Sequence, residues 1–211
     1  MKIVVIGGGN KPSKELLKKS CNNCDLIIAA DKGAQYLFEE NIFPNIVLGD
    51  FDSIDNEILE KLKEKNLNIE VYPKEKDFTD SELALNIALK HNPEEIIILG
   101  CIGTRMDHVL GNIGLLYKCL EKNIKGKLVD DNNIIFLVNK STTLKNEGMK
   151  YIGFQGFRDM VSDFNIRGAK YDLYNHNLKF GECITVSNEF IEDSMDIIFN
   201  EGIVMVIYSN D

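Results

Sequence analysis

The sequence predicts an α/β fold, an N-terminal parallel-sheet α/β domain followed by an all-β sandwich domain. Three observations carry that expectation. Short, continuous apolar runs such as Ile3-Val4-Val5-Ile6 and Ile96-Ile97-Ile98-Leu99 read as strands buried on both faces. Helical patterns with start and stop signals stand between them. Past about residue 125 those patterns give way to strand-like runs separated by turn residues.

The elements follow in order. The first strand, Ile3–Ile6, ends in Gly7-Gly8-Gly9, and Ser13 is placed to cap a helix running to about Ser20. Leu26-Ile27-Ile28-Ala29 is the second strand, followed by Asp31-Lys32-Gly33 and a helix to about Glu40. Ile46-Val47-Leu48 forms the third strand and the charged 55–65 stretch an amphipathic helix. Ile69-Glu70-Val71 is a weaker fourth strand. Thr79-Asp80-Ser81-Glu82 fits a capping box, and Leu83, Ala84, Ile87 and Ala88 give the next helix its apolar face before Pro93. After the fifth strand, Val109, Leu110, Ile113, Leu116, Tyr117 and Leu120 mark a helix at 3.6-residue spacing.

The expected boundary lies near residue 125, without a flexible linker, giving domains 1–125 and 126–211. In the second, Lys127-Leu128-Val129, 134–138, 151–154 and 203–208 read as strands. Turn signals fall at 130–133, Asn146-Glu147-Gly148, Arg167-Gly168 and Asn175-His176-Asn177. There is no internal repeat and no low-complexity tract.

Composition narrows the function classes. The 211 residues are 44% hydrophobic and 27% charged, ordinary for a globular protein. A formal charge of −9 argues against nucleic acid or an anionic membrane as partner and tolerates a cationic ligand, although solubility alone accounts for it. No apolar run is long enough to span a bilayer, and the N-terminal run reads as a strand rather than a signal peptide, so the cytoplasm is the expected location. Five cysteines, an odd number, are expected as free thiols. Cys21-Asn22-Asn23-Cys24 has redox or half-zinc spacing, but no second pair completes a site.

Three acidic blocks carry the chemistry: Gly49-Asp50-Phe51-Asp52-Ser53, Lys76-Asp77-Phe78-Thr79-Asp80 and Gly103-Thr104-Arg105-Met106-Asp107-His108. They fall at the carboxyl ends of strands, where open α/β sheets bind ligands. Carboxylates gathered there repel one another unless a cation sits among them. Asp50 and Asp52, two apart, are expected on one side of a strand end, with Asp52 or Ser53 alternatively capping the next helix. Asp80 also suits the first turn of its helix through the macrodipole. Hard oxygen ligands suit Mg²⁺, and Arg105 beside Asp107 offers a fork for phosphate oxygens. His108 is read first as a residue packing its ring at a helix start, ahead of a role in the site. The Gly7-Gly8-Gly9 run is neither the dinucleotide fingerprint nor a Walker A loop, so a tight turn explains it as well as phosphate binding does.

These blocks resemble the signature of the thiamine pyrophosphokinase family. Gly49–Ser53, Asp77-Phe78-Thr79-Asp80, and Arg105-Met106-Asp107-His108 with Asn112 are similar to its acidic segments. Asp31-Lys32-Gly33-Ala34 resembles its Asp-Gly-Gly-Ala block, with Lys32 replacing a glycine. Gly168-Ala169-Lys170-Tyr171-Asp172-Leu173 and Ser187-Asn188-Glu189 resemble segments of its β half, whereas residues 151–157 and Asp163-Phe164-Asn165 depart from it. The resemblance implies transfer of pyrophosphate from ATP to the thiamine hydroxyl, giving thiamine diphosphate and AMP. It implies a homodimer holding thiamine between the α/β domain of one subunit and the β domain of the other.

On this reading Asp50, Asp52 and Asp80 hold Mg²⁺, and Asp77, Arg105 and Asp107 complete the catalytic set. Asp77 or Asp80 takes the hydroxyl proton, a choice the sequence leaves open. Asp31, Gly33, Thr79, Arg105, His108 and Asn112 are expected at the nucleotide. Tyr171, Ser187 and Asn188 are expected at thiamine, with Tyr171 stacking on the pyrimidine or facing the cationic ring, or else a core residue. A metal-dependent phosphoesterase and a non-catalytic thiamine- or nucleotide-sensing module are the rival readings.

Overall fold

A computed structural model describes residues 1–211 except Ser53, Asn66, Lys74, Lys76 and the side chain of Asn56. The chain forms two compact units, Met1–Asp131 and Asn132–Asp211. The first contains strands β1 (Lys2–Ile6), β2 (Leu26–Ala30), β3 (Ile46–Gly49), β4 (Asn68–Val71), β5 (Glu95–Leu99) and β6 (Lys125–Val129). They lie in the order β4-β3-β2-β1-β5-β6, every neighbouring pair parallel. Helices α1 (Lys14–Cys21), α2 (Lys32–Glu39), α3 (Asn56–Glu64), α4 (Asp80–Lys90) and α5 (Met106–Glu121) make the connections.

Burial explains why the central strands read as unbroken apolar runs. Ile3, Val4, Val5 and Ile6 are fully buried in β1, as are Ile96, Ile98 and Leu99 in β5. Each such side chain contributes about 1.5–3 kcal/mol by leaving water. The strand order reverses at β1, whose neighbours are β2 on one side and β5 on the other. The connections leaving β1 and β5 therefore diverge and open a crevice at the carboxyl edge of the sheet.

The helix starts are chemically specified. Ser13 Oγ accepts from the Leu16 amide at 3.2 Å to cap α1. Thr79 Oγ1 accepts from the Glu82 amide at 3.2 Å to cap α4. The Glu82 side chain is drawn elsewhere, to Lys118 Nζ on α5 at 2.5 Å, so a cross-helix ion pair takes up the carboxylate of the expected capping box. Asp55 caps α3 by accepting from the Glu57 amide at 2.8 Å. This corrects the expectation that Asp52 does so; Ser53, the other expected cap, lies outside the described residues.

The domain boundary also moves. Residues 127–129, expected in the β half, belong to β6 and pair in parallel with β5, so the first unit runs to Asp131 rather than about 125. A helix-connected parallel strand is simply hard to tell from a hairpin strand when a short turn follows it.

In the second unit, β7 (Asn133–Val138), β13 (Val204–Ser209) and β9 (Tyr151–Gly156) pair antiparallel in that order. A second sheet has the order β11-β10-β12-β8, from β11 (Leu173–Leu178), β10 (Val161–Arg167), β12 (Ser194–Ile198) and β8 (Thr142–Lys145). Phe154, Phe164, Ile197, Val206 and Tyr208 share the core of this sandwich-like unit. Phe154 of one sheet meets Phe164 of the other at 5.6 Å between ring centroids. Asn175-His176-Asn177, expected as a turn, lies within β11 instead. The register there is irregular: Asn175 has φ +51°, its amide donates to Asn165 Oδ1 at 2.9 Å, and the Asp163 amide donates to Asn177 Oδ1 at 3.2 Å. Turn-forming residues thus serve a bulged strand.

Candidate functional site

A cavity of about 600 Å³ opens in the first unit at the crevice. Gly8, Gly9 and Asn10 line it after β1, Asp31 and Lys32 after β2, and Phe78, Thr79, Asp80 and Ser81 at the start of α4. Gly100, Cys101, Gly103, Thr104, Arg105, His108 and Asn112 complete it between β5 and α5. The triple glycine has a definite use here. The Gly9 amide donates to Gly100 O at 2.6 Å and the Asn10 amide to Ile102 O at 2.8 Å. A Cβ on Gly9 would stand 2.7 Å from Gly100 O, so this close passage of two loops excludes a side chain.

Asp31 is an acid strongly perturbed by its surroundings. Its backbone adopts φ +46°, ψ −126°, a conformation costly for a residue with a Cβ, and its amide is held by Leu48 O at 2.9 Å. Its Oδ1 accepts from the Phe51 amide at 3.4 Å and occupies the space above Gly49, where a Cβ would come within 1.9 Å of it. Burial pushes the Asp31 pKa up to about 7, helped by the charge of Asp80 and a hydrogen bond with it, and by the charge of Asp50. Asp31, expected at the nucleotide, stands within electrostatic reach of Asp80 and Asp50. Its place at a strand end was visible in sequence; its nearness to Asp80 required the sheet order.

The backbone at Asp50 and Asp52 differs from the strand expected there. β3 ends at Gly49, so strand alternation does not reach them. A turn with Phe51 at φ +61° follows, in which the Asp52 amide donates to Asp50 Oδ1 at 3.0 Å. Phe51 is buried and anchors the turn. Asp77 is exposed on the loop before α4, while Lys76 lies outside the described residues. Among the described residues no three His, Cys, Asp or Glu side chains are gathered tightly enough to hold a metal ion. The donor set nevertheless fits a hard divalent cation: Asp31, Asp50 and Asp80 are carboxylates on three separate segments, and the charges of Asp80 and Asp50 raise the proton affinity of Asp31.

Across the crevice, Arg105 makes a two-point ion pair with Asp107, Nη2 to Oδ2 at 2.7 Å and Nε to Oδ1 at 3.3 Å. The guanidinium holds the Asp107 carboxyl below the usual range, and the His108 amide also donates to it. His108 is exposed rather than packed, and lines the cavity. Asn112 is buried and donates to Cys101 O at 2.7 Å, fixing the β5–α5 connection. A smaller recess of about 190 Å³ continues past Thr79, Asp107, His108 and Asn112 to Glu82, Gly111 and Leu115. Gly33 lies on α2 where a Cβ would meet Ile6 O at 2.3 Å, so its part is close packing of α2 on β1. Asn10, Lys32, Phe78, Ser81 and Thr104 also line the cavity and escaped the sequence reading; Lys32 and Ser81 had a signal in their adjacency to Asp31 and Asp80.

In the second unit Tyr171 is exposed, which excludes a core role. Its backbone is clamped by Asn188, whose Oδ1 accepts from the Tyr171 amide at 3.0 Å and whose Nδ2 donates to Tyr171 O at 2.8 Å. Asn188 is itself buried, and its Oδ1 also accepts from the Glu189 amide. It supports Tyr171 rather than presenting a free amide. Ser187 is exposed at φ +58° beside it. Lys170 Nζ stands 5.5 Å from the Tyr171 ring centroid and pairs with Glu189 at 2.7 Å. The five cysteines are free, and burial raises the Cys21 and Cys24 thiols, so that pair has poor nucleophiles.

Residues 17–128 match the thiamin pyrophosphokinase catalytic domain and residues 141–204 the thiamin pyrophosphokinase vitamin B1 binding domain. Thiamine pyrophosphokinase of Bacillus subtilis is 36% identical over 211 residues, covering 99% of each chain. The crystal structure of that enzyme from Bacillus subtilis superposes with a TM-score of 0.92 at 35% identity over 100% of both chains. That of thiamin pyrophosphokinase from Geobacillus thermodenitrificans gives 0.88 at 30% identity over 100% of this chain and 98% of the other.

Proposed function

The chain belongs to the thiamine pyrophosphokinase family, and on that premise we propose that it transfers pyrophosphate from ATP to the thiamine hydroxyl, releasing AMP. The observation that carries the reading is the crevice, where Asp31 after β2 and Asp80 at the start of α4 line a cavity also lined by Arg105. The phosphoesterase and sensing-module alternatives find no support among the relatives.

Asp50, Asp52 and Asp80, with Asp31 added, would hold Mg²⁺. When bound, the cation neutralises charge on the phosphate oxygens entering and leaving the bond change. The chain's own groups supply position. Arg105, held in orientation by Asp107, presents N–H donors to phosphate oxygens. Thr79, His108 and the loop fixed by Asn112 shape the nucleotide's seat. Attack at the β-phosphorus makes AMP the leaving group, and the thiamine hydroxyl gives its proton to the carboxylate of Asp77 or Asp80. Tyr171 offers an exposed ring to thiamine, with Asn188 supporting its loop and Ser187 beside Asn188 in the chain. We assign the active form as a homodimer, following the family resemblance.

Incubation with Mg-ATP and thiamine tests the reading. One AMP for each thiamine diphosphate supports it; phosphate release without thiamine means hydrolysis, and binding without turnover means a sensor.

A further inference from the structure

The site's cations are unequal, and that inequality points to a residue with no role so far. Arg105 is already engaged by Asp107 through two hydrogen bonds, so part of its charge is neutralised before any ligand arrives. Lys32 also lines the cavity, is exposed, and among the described residues makes no ion pair within 4.0 Å. Its ammonium does act on a distant carboxylate, Glu39, whose pKa it helps lower after Lys11 and Gln35.

Its placement is built rather than incidental. Lys32 is the first residue of the eight-residue α2, whose N-cap Asp31 makes no side-chain capping bond. The Asp31 carboxylate is turned instead toward Phe51, Gly49 and Asp80. A Cβ on Gly8 would stand 3.2 Å from Lys32 Cβ, so the bare Gly8 backbone lets the lysine stem lie against the β1 loop. Lys32 thus enters the cavity from the β2–α2 connection, while Arg105 enters from the β5–α5 connection. A nucleoside triphosphate carries several negative charges along an extended chain, and one divalent cation with a partly neutralised arginine leaves charge uncompensated.

We propose that Lys32 is a polyphosphate-binding residue, its ammonium taking oxygens of the nucleotide's phosphate chain and so setting affinity for the triphosphate. This rests on the pyrophosphokinase reading and extends it to a named determinant of nucleotide affinity. A charge-assisted hydrogen bond of this kind is worth about tenfold to a hundredfold in affinity.

The test pairs steady-state kinetics with equilibrium binding. Wild-type protein forming AMP and thiamine diphosphate establishes the reaction independently of Lys32. Lys32→Ala is then expected to raise KM for Mg-ATP at least about tenfold, with a smaller change in kcat and no change in KM for thiamine. Lys32→Arg restores most of the affinity. In competition binding, Lys32→Ala weakens ATP by a similar factor while adenosine is unaffected, and the wild-type ATP affinity is the more salt-sensitive. A folded Lys32→Ala protein that forms AMP with unaltered KM and unaltered ATP binding overturns the proposal. So does an equal loss of adenosine affinity, which would mean a general distortion of the pocket.

Discussion

At the scale of single residues, Asp31 is the most tightly specified position at the crevice among the described residues. Its strained backbone, the bare space over Gly49 and its hydrogen bond with Asp80 all fix one carboxylate at one place. Gly49→Ala puts a methyl into that carboxylate at φ +146°, which should cost roughly 1–3 kcal/mol in urea melts and abolish most activity. The pH dependence has a definite sign. An acid whose folded pKa is raised from 3.8 to about 7 binds more protons folded than unfolded. Its contribution to stability is therefore present at low pH and declines as pH rises through that window. Metal-free protein should melt lower at pH 8 than at pH 5 by this contribution, Mg²⁺ should reverse the loss, and Asp80→Asn should flatten it, all by calorimetry. Asp52→Asn should fold normally and lose activity by orders of magnitude, because Asp55, not Asp52, caps α3. Near-normal turnover would remove Asp52 from the metal-binding set; loss of folding would give it a structural role.

Elements deliver these residues to one edge. Parallel strands buried on both faces announce themselves as apolar runs, so β1, β2, β3 and β5 were legible, as were the Ser13 and Thr79 caps. The acidic blocks were legible for the same reason, since each follows a strand. What sequence could not show was neighbourhood. That Asp31 meets Asp80 depends on β2 and β4 contributing to one crevice, a matter of strand order. Likewise β8, β10, β11 and β12 escaped because half-exposed strands rich in polar residues imitate loops, as Asn175–Asn177 did. The β5–α5 connection is held by the buried Asn112 amide on Cys101 O. Asn112→Ala should cost about 1–3 kcal/mol by leaving that carbonyl unpaired, and raise KM for ATP as Arg105 loses its footing.

At the scale of the whole molecule, two compact units correspond to the catalytic and vitamin B1 binding domain matches. The crevice brings the carboxylates of Asp31 and Asp80 and the cationic side chains of Lys32 and Arg105 to one cavity, and the second unit has an exposed Tyr171 on a clamped loop. Sedimentation equilibrium should return twice the 23.9 kDa chain mass if the proposed homodimer forms. The central claim concerns which bond of ATP breaks. Purified protein given Mg-ATP and thiamine, with nucleotides resolved by ion-exchange chromatography, answers it directly. The account predicts AMP and thiamine diphosphate in equal amounts, with neither formed when thiamine is omitted. ADP as the nucleotide product, or phosphate released without thiamine, would contradict it.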